Sequence, residues 1–139
     1  MVINMTRIFL DSWVFVEYFS KKDNKECVRI IEDKAVKVIN TTVLLEVKYR
    51  LAKLFDLEKA NYAIQIIESL DNIKIIPITK EIADLACDLR LKYYNDKTRD
   101  LSYIDTINLA TSILTGCEKF YTGYKDFHGI AEMEIVSVR

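Results

Sequence analysis

Residues 101–115, LSYIDTINLATSILT, and the run that follows at 118–122, EKFYT, set the frame for the whole chain. The first stretch reads as a helix with a marked start. Ser102 stands three residues before Asp105, the Ser/Thr-x-x-Asp/Glu spacing of a capping box. Ile104, Ile107, Ala110 and Leu114 recur at helical spacing and are expected to face a core. The second stretch reads as a strand that ends in a turn around Gly123. Asp105, in the first turn of the helix, has two readings. It is a carboxylate that satisfies backbone N–H groups and the positive helix end, or one member of an acidic site completed by other strand and helix ends. This stretch alone leaves both open.

The same alternation extends outward. Residues 7–10 form an apolar run that stops at Asp11, a first strand, and residues 12–19 carry a helical pattern. Residues 25–32 continue as a second short helix. Residues 37–40 (KVIN) are a second strand, ending in Thr41-Thr42, which read as caps for a long helix over 43–55. Another helix spans 58–70. Residues 72–77 (NIKIIP) are a third strand stopped by Pro77, and Thr79 caps a helix over 80–94. A polar loop, 95–100, leads back to the opening stretch, and residues 134–138 (EIVSV) are a fifth strand. The expected fold is α/β: a three-layer α/β/α sandwich whose mainly parallel sheet has four to five strands covered on both faces. No repeat, low-complexity tract or internal boundary interrupts residues 1–139, so a single domain is expected.

Composition agrees with this reading and removes several classes of function. Half of the 139 residues are hydrophobic and 29% are charged, as in globular rather than disordered chains. Three glycines and one proline leave little room for linkers. A net charge of −1 excludes a strongly basic protein but not a local basic stripe of the kind nucleic acids need. Cys27, Cys87 and Cys117 are widely spaced, without CxxC or histidine partners, and read as buried thiols of a reducing compartment rather than zinc ligands. The opening residues lack the apolar run of a signal peptide, and no run approaches the ~18 residues of a membrane span. No membrane association is expected, and a cytoplasmic location is. A single histidine, His128, rules out chemistry by a pair of histidines, and no nucleophile-elbow motif is present.

In parallel α/β folds, ligands collect outside the carboxyl ends of the strands, where strand order reverses. Four acids occupy such places: Asp11 after the first strand, Glu46 in the helix after the second, Asp105 before the fourth, and Asp126 in the turn after it. Each also has a plainer role. Asp11 caps a helix, Glu46 pairs with Arg50 at i+4, and Asp126 and His128 are turn residues. Glu46, Arg50 and Lys53 share a helix face, so two cations either flank the acids or form a solvated charged face. Phe9, Phe15, Tyr18 and Tyr49 read as core or interface. Two carboxylates ~6 Å apart repel by roughly 3 kcal/mol at an effective dielectric near 20, so a fold that gathers several of them needs a cation or protons.

These residues resemble a known family. FLDSWVFVEYF (9–19) is similar to the opening strand and helix of PIN-domain ribonucleases, especially the VapC-like toxins of VapBC toxin–antitoxin pairs. TTVLLEVKYRL (41–51) resembles their second acidic motif. LSYIDTINLATSILTGCEKFYTGYKDF (101–127) resembles their third, an acid opening a helix followed by a strand and a Thr-x-Asp-x-Asp-Phe-type turn. The resemblance implies a PIN-like fold in which Asp11, Glu46 and Asp105 bind Mg²⁺ (or Mn²⁺) for hydrolysis of RNA phosphodiester bonds, with a cognate antitoxin and a homodimer as partners. Tyr124 stands where the last acid is usual, which makes Asp126 the candidate replacement, and Trp13 stands where a small polar residue is frequent. Arg50 and Lys53 are candidate substrate contacts. The alternative is a catalytically impaired PIN-like module that binds RNA or a protein partner. A phospho-acceptor receiver would want an Asp ending the third strand, which here ends Ile75-Ile76-Pro77.

Overall fold

A computed structural model describes residues 5–20 and 24–139. Among these residues strands and helices alternate as β1 (Arg7–Leu10), α1 (Ser12–Phe19), α2 (Lys25–Glu32), β2 (Val36–Asn40), α3 (Thr41–Leu54), α4 (Leu57–Glu68), β3 (Ile73–Ile76), α5 (Lys80–Tyr93), α6 (Tyr103–Leu114), β4 (Lys119–Thr122) and β5 (Glu134–Ser137). A 3-10 turn, Lys125–Phe127, follows β4. The α/β sandwich expected from the sequence is the observed fold, and every pair of neighbouring strands is parallel.

The strand order is β3-β2-β1-β4-β5. The chain therefore builds one half of the sheet outward from β1, then crosses over to build the other half from β4. The reversal falls between β1 and β4, and the carboxyl ends of those strands are where a parallel sheet opens a crevice. β1 is central and apolar on both faces, with Ile8, Phe9 and Leu10 all buried. Phe9 stacks on Phe120 of β4 with ring centroids 5.0 Å apart, and Phe120 meets Phe127 at 4.7 Å. Each fully buried phenylalanine contributes roughly 1.5–3 kcal/mol, so the seam at the reversal is also among the best-packed parts of the core.

Each of these helices starts at a side-chain cap. Two of the caps close a strand as well. Asp11 follows β1 directly, and Asn40 is the last residue of β2, its Oδ1 accepting from Val43 N at 2.9 Å. The cap of α3 is thus Asn40 rather than Thr41-Thr42. The extended backbone of β2 ends in a residue that already accepts the first helical N–H, so no loop separates strand from helix. Thr79 and Ser102 cap where the sequence places them, and Ser102 with Asp105 forms the expected capping box.

The buried face of α6 differs from the expected one. Thr106, Asn108, Leu109, Ala110, Thr111 and Ser112 are buried, whereas Leu114 is exposed. The helix packs against α5 on one side and β2 on another, so more than one stripe is covered. Its polar residues can be buried because they are bonded: Asn40 Nδ2 donates to Asn108 Oδ1 and Thr111 Oγ1, each at 2.9 Å, and Ser112 donates to Leu109 O at 2.7 Å. One further expectation is corrected: Cys27 and Cys117 are buried but Cys87, on α5, is exposed. Of the aromatics expected in core or interface, Phe9 and Phe15 are core, while Tyr49 on α3 is 63% exposed and so is not core.

Candidate functional site

Asp11, Asn40 and Thr122 stand at the carboxyl ends of β1, β2 and β4, and all three are buried. Asp11 is the best anchored. Its Oδ1 accepts from Ser12 N at 2.6 Å, and its Oδ2 accepts from Thr122 Oγ1 at 2.7 Å, a bond that spans the strand reversal. Thr122 Oγ1 in turn accepts from Tyr124 N at 3.0 Å. The Ser12 hydroxyl lies 3.3 Å from Asp11 Oδ1 and 3.1 Å from Glu46 Oε1. One hydroxyl proton faces two carboxylates, so at most one of them is fully served at a time.

The electrostatics identify the third member. Burial pushes the Asp11 carboxyl up to about 7; the Thr122 bond opposes this, and the charges of Asp105 and Glu46 add to it. Glu46 is also raised, by burial first, with Ser12 and Arg50 opposing and Asp105 adding. Asp105 is raised by burial, against its capping bonds to Ser102, with Asp126 and Asp100 adding. Like charges held together out of water favour the protonated state of each. The structure thus brings Asp11, Glu46 and Asp105 within electrostatic reach of one another. Asp126, half-buried in the 3-10 turn, acts on Asp105.

Arg50 lies one turn beyond Glu46 on α3 and donates from Nη1 to the Tyr124 hydroxyl. Lys53 is exposed in the last turn of the same helix. His128 is an exposed residue after the 3-10 turn, and its carbonyl accepts from Arg99. Trp13 is accommodated by a glycine: a Cβ added at Gly123 would sit 2.2 Å from the indole ring. Sequence reasoning missed Ser12 and Thr122 as partners of the acids. Their only signal is adjacency to a strand end, which many serines and threonines share. It also missed the polar contact of Asn40, Asn108 and Thr111, in which Asn108 Nδ2 is buried without a partner.

A hard divalent cation suits the chemistry of these donors, three carboxylates with two hydroxyls among them. The mutually raised carboxyls are what a cation would relieve. As they stand, however, no three His, Cys, Asp or Glu side chains among the described residues form a closed metal-binding group. Asp105 Oδ2 accepts from Ser102 N at 3.0 Å, so part of its capacity is committed to the helix cap.

Comparison with known proteins agrees with this arrangement. The PIN domain family matches residues 8–133, and the chain belongs to that family. No curated protein matches it. Among solved structures, a toxin–antitoxin complex from Klebsiella pneumoniae is 25% identical, with a TM-score of 0.71 over 95% of this chain and 98% of that one. VapC20 of Mycobacterium tuberculosis, a sarcin–ricin loop cleaving toxin, is 19% identical with a TM-score of 0.73, covering 91% of this chain and 98% of its own. VapBC2 of Rickettsia felis, bound to a fragment of promoter DNA, is 17% identical with a TM-score of 0.74, covering 95% and 98%. The fold is that of the VapC-type toxins. Among the described residues no helix is long and apolar enough to cross a membrane.

Proposed function

We propose that the protein is a metal-dependent endoribonuclease and the toxin of a toxin–antitoxin pair. The observation that carries this reading is the buried Asp11, whose carboxyl is pushed up to about 7 in the company of Glu46 and Asp105 at the strand reversal. A structural cap needs no such company. Asp11, Glu46 and Asp105 would hold Mg²⁺ or Mn²⁺, which when bound supplies an activated water and stabilises charge on the phosphate. Thr122 and Ser12 fix the orientation of Asp11 by bonds of 2.7 and 2.6 Å. Ser12 ties Glu46 to the same point. Asp126 adds negative charge beside Asp105. Arg50 and Lys53, on the helix that carries Glu46, are the proposed contacts for the RNA backbone.

The test is Asp105→Asn. Asn keeps the capping shape, so stability should change by no more than the ~0.5–2 kcal/mol of a cap. Cleavage of RNA at matched Mg²⁺ or Mn²⁺ should fall on the order of 100-fold. Cleavage at the wild-type rate would leave Asp105 as a helix cap and nothing more. A second reading, an impaired module that binds RNA or a partner without cutting, draws on the tyrosine at position 124. It is selected if clean wild-type protein binds RNA but does not cleave it with either metal.

The proposed partners are a cognate antitoxin and a second copy of the chain. Support comes from the complexes named in the similar structures and from large apolar side chains left on the surface, among them Leu45, Tyr49, Tyr62, Leu91 and Tyr103. Co-expression with the product of the adjacent gene, followed by light scattering of the purified species, checks both. A monomer that elutes without a companion contradicts both.

A further inference from the structure

Arg50 is a cation set among acids, yet its described hydrogen bond goes to none of them. Glu46 stands four residues before it on α3, the spacing at which Arg and Glu pair on a helix, and the charge of Arg50 does lower the pKa of Glu46. Its Nη1 nonetheless donates to the Tyr124 hydroxyl, with the guanidinium carbon 5.8 Å from the centre of that ring. A phenol is a neutral acceptor. It orients the guanidinium without cancelling its charge, as a carboxylate partner would.

Tyr124 is itself held from two directions. Its backbone N donates to Thr122 Oγ1 at 3.0 Å, and the same hydroxyl donates to Asp11. The preceding residue, Gly123, is pressed under the Trp13 ring. Burial raises the pKa of the phenol, the Arg50 charge opposes this, and the charges of Asp11 and Glu46 add to it, so the phenol is neutral at physiological pH. The residue that receives Arg50 is thus tied to Asp11 through the Thr122 hydroxyl, which accepts from its backbone N–H and donates to the carboxylate. A guanidinium carries five donors in a planar fork, and the bond to Tyr124 uses one of them, which leaves others for a ligand.

We infer that Tyr124 is a positioning residue that holds the Arg50 guanidinium, unneutralised, beside the carboxylates, where it engages a phosphodiester oxygen of single-stranded RNA. This rests on the reading of the site as a ribonuclease centre. It adds a division of labour: the acids serve the cation, and the Arg50–Tyr124 pair serves the substrate phosphate. A polyanion entering a cleft of three carboxylates meets repulsion, and a fixed guanidinium offers a directed, two-donor contact to one phosphate.

The experiment measures binding rather than cleavage. Anisotropy of a labelled single-stranded RNA is followed with Ca²⁺ in place of Mg²⁺ for wild type, Arg50→Gln, Tyr124→Phe and the double variant. Mn²⁺ affinity is measured by calorimetry on the same four proteins. Arg50→Gln should weaken RNA binding about tenfold and reduce the slope of log K against log salt by about 0.7, the value for one phosphate contact on a single strand. Tyr124→Phe, which keeps the ring and its packing, should weaken RNA binding several-fold. The double variant should be no worse than Arg50→Gln, and Mn²⁺ affinity should be unchanged in Tyr124→Phe. The inference is overturned if Tyr124→Phe binds RNA as wild type does, if the two losses add, if Tyr124→Phe alters Mn²⁺ affinity instead, or if wild type does not bind RNA. Failure of the ribonuclease reading looks different: RNA binding follows the expected pattern while no metal supports cleavage.

Discussion

The two ends of one strand, β2, handle buried charge in opposite ways. At the amino end Lys37 is only 2% exposed. Its Nζ donates to the carbonyl oxygens of Asp33 and of Ala35, the latter at 3.3 Å. Burial lowers its pKa, and the charges of Asp33 and Asp71 work against that lowering. The Asp33 and Asp71 carboxylates carry the sign that a buried ammonium needs. At the carboxyl end, beyond Asn40, lie Asp11, Glu46 and Asp105, each raised by burial and by another acid. Both ends remove charge from water; at the first an ammonium meets two carboxylates, while at the second a single guanidinium, Arg50, is set against three carboxylates. Buried acids that raise one another are a common mark of functional sites, and that is the role proposed above for the second end.

The largest expected effect that could break this contrast is that of Asp11→Asn. RNA cleavage should fall on the order of 100-fold or more, while the metal-free protein becomes more stable at pH 8 by ~1–3 kcal/mol. The sign follows from linkage. The folded-state pKa, about 7, lies above the ordinary 3.8, so the folded protein binds the extra proton between them and loses stability as pH rises from about 4 through 7. Urea unfolding of metal-free wild type should show that loss, and Asp11→Asn should show a smaller one, because Glu46 and Asp105 are raised as well. A flat profile in wild type would mean that the acids are not in conflict. Lys37→Met should act in the reverse sense. It leaves two carbonyls without their donor and should cost ~1–3 kcal/mol at any pH near neutrality, with cleavage per folded molecule unchanged. A loss of specific activity there would erase the distinction between the two ends.

Gly123→Ala sharpens the picture of the carboxyl end. The new methyl would collide with the Trp13 ring, costing ~1–3 kcal/mol by overpacking. Combining it with Trp13→Ala should recover part of that cost, and a double-mutant cycle with no coupling would remove Trp13 from the site's support. The smallest effect is expected of Asp126→Asn. Its charge acts on Asp105 from a half-buried turn, so cleavage should change no more than several-fold and stability by about 0.5 kcal/mol or less. A loss as large as that of Asp105→Asn would make Asp126 a direct ligand.

Several features of this protein follow from local chemistry and were legible in the residues alone. Strand runs such as 7–10 and 118–122, the capping box at Ser102 and Asp105, and the Thr79 cap depend on neighbours within four positions, and so does the α/β alternation they add up to. The candidate acids could be named because a strand end or a first helical turn is itself a local feature. What tertiary structure alone decided involves partners far apart in the chain. Thr122 and Ser12 become partners of Asp11 and Glu46 only when β1, β4 and α3 meet. Arg50 turns to Tyr124, 74 residues away, rather than to its helical neighbour. The buried face of α6 is polar where Asn40 and Asn108 meet, which hydrophobic periodicity cannot show because it scores side chains by type and not by the donor across the interface. Lys37, an ordinary lysine in sequence, is buried because carbonyls of the preceding turn surround it. Local propensity sets which elements form, while burial and long-range hydrogen bonds set which charges are satisfied and which remain for a ligand.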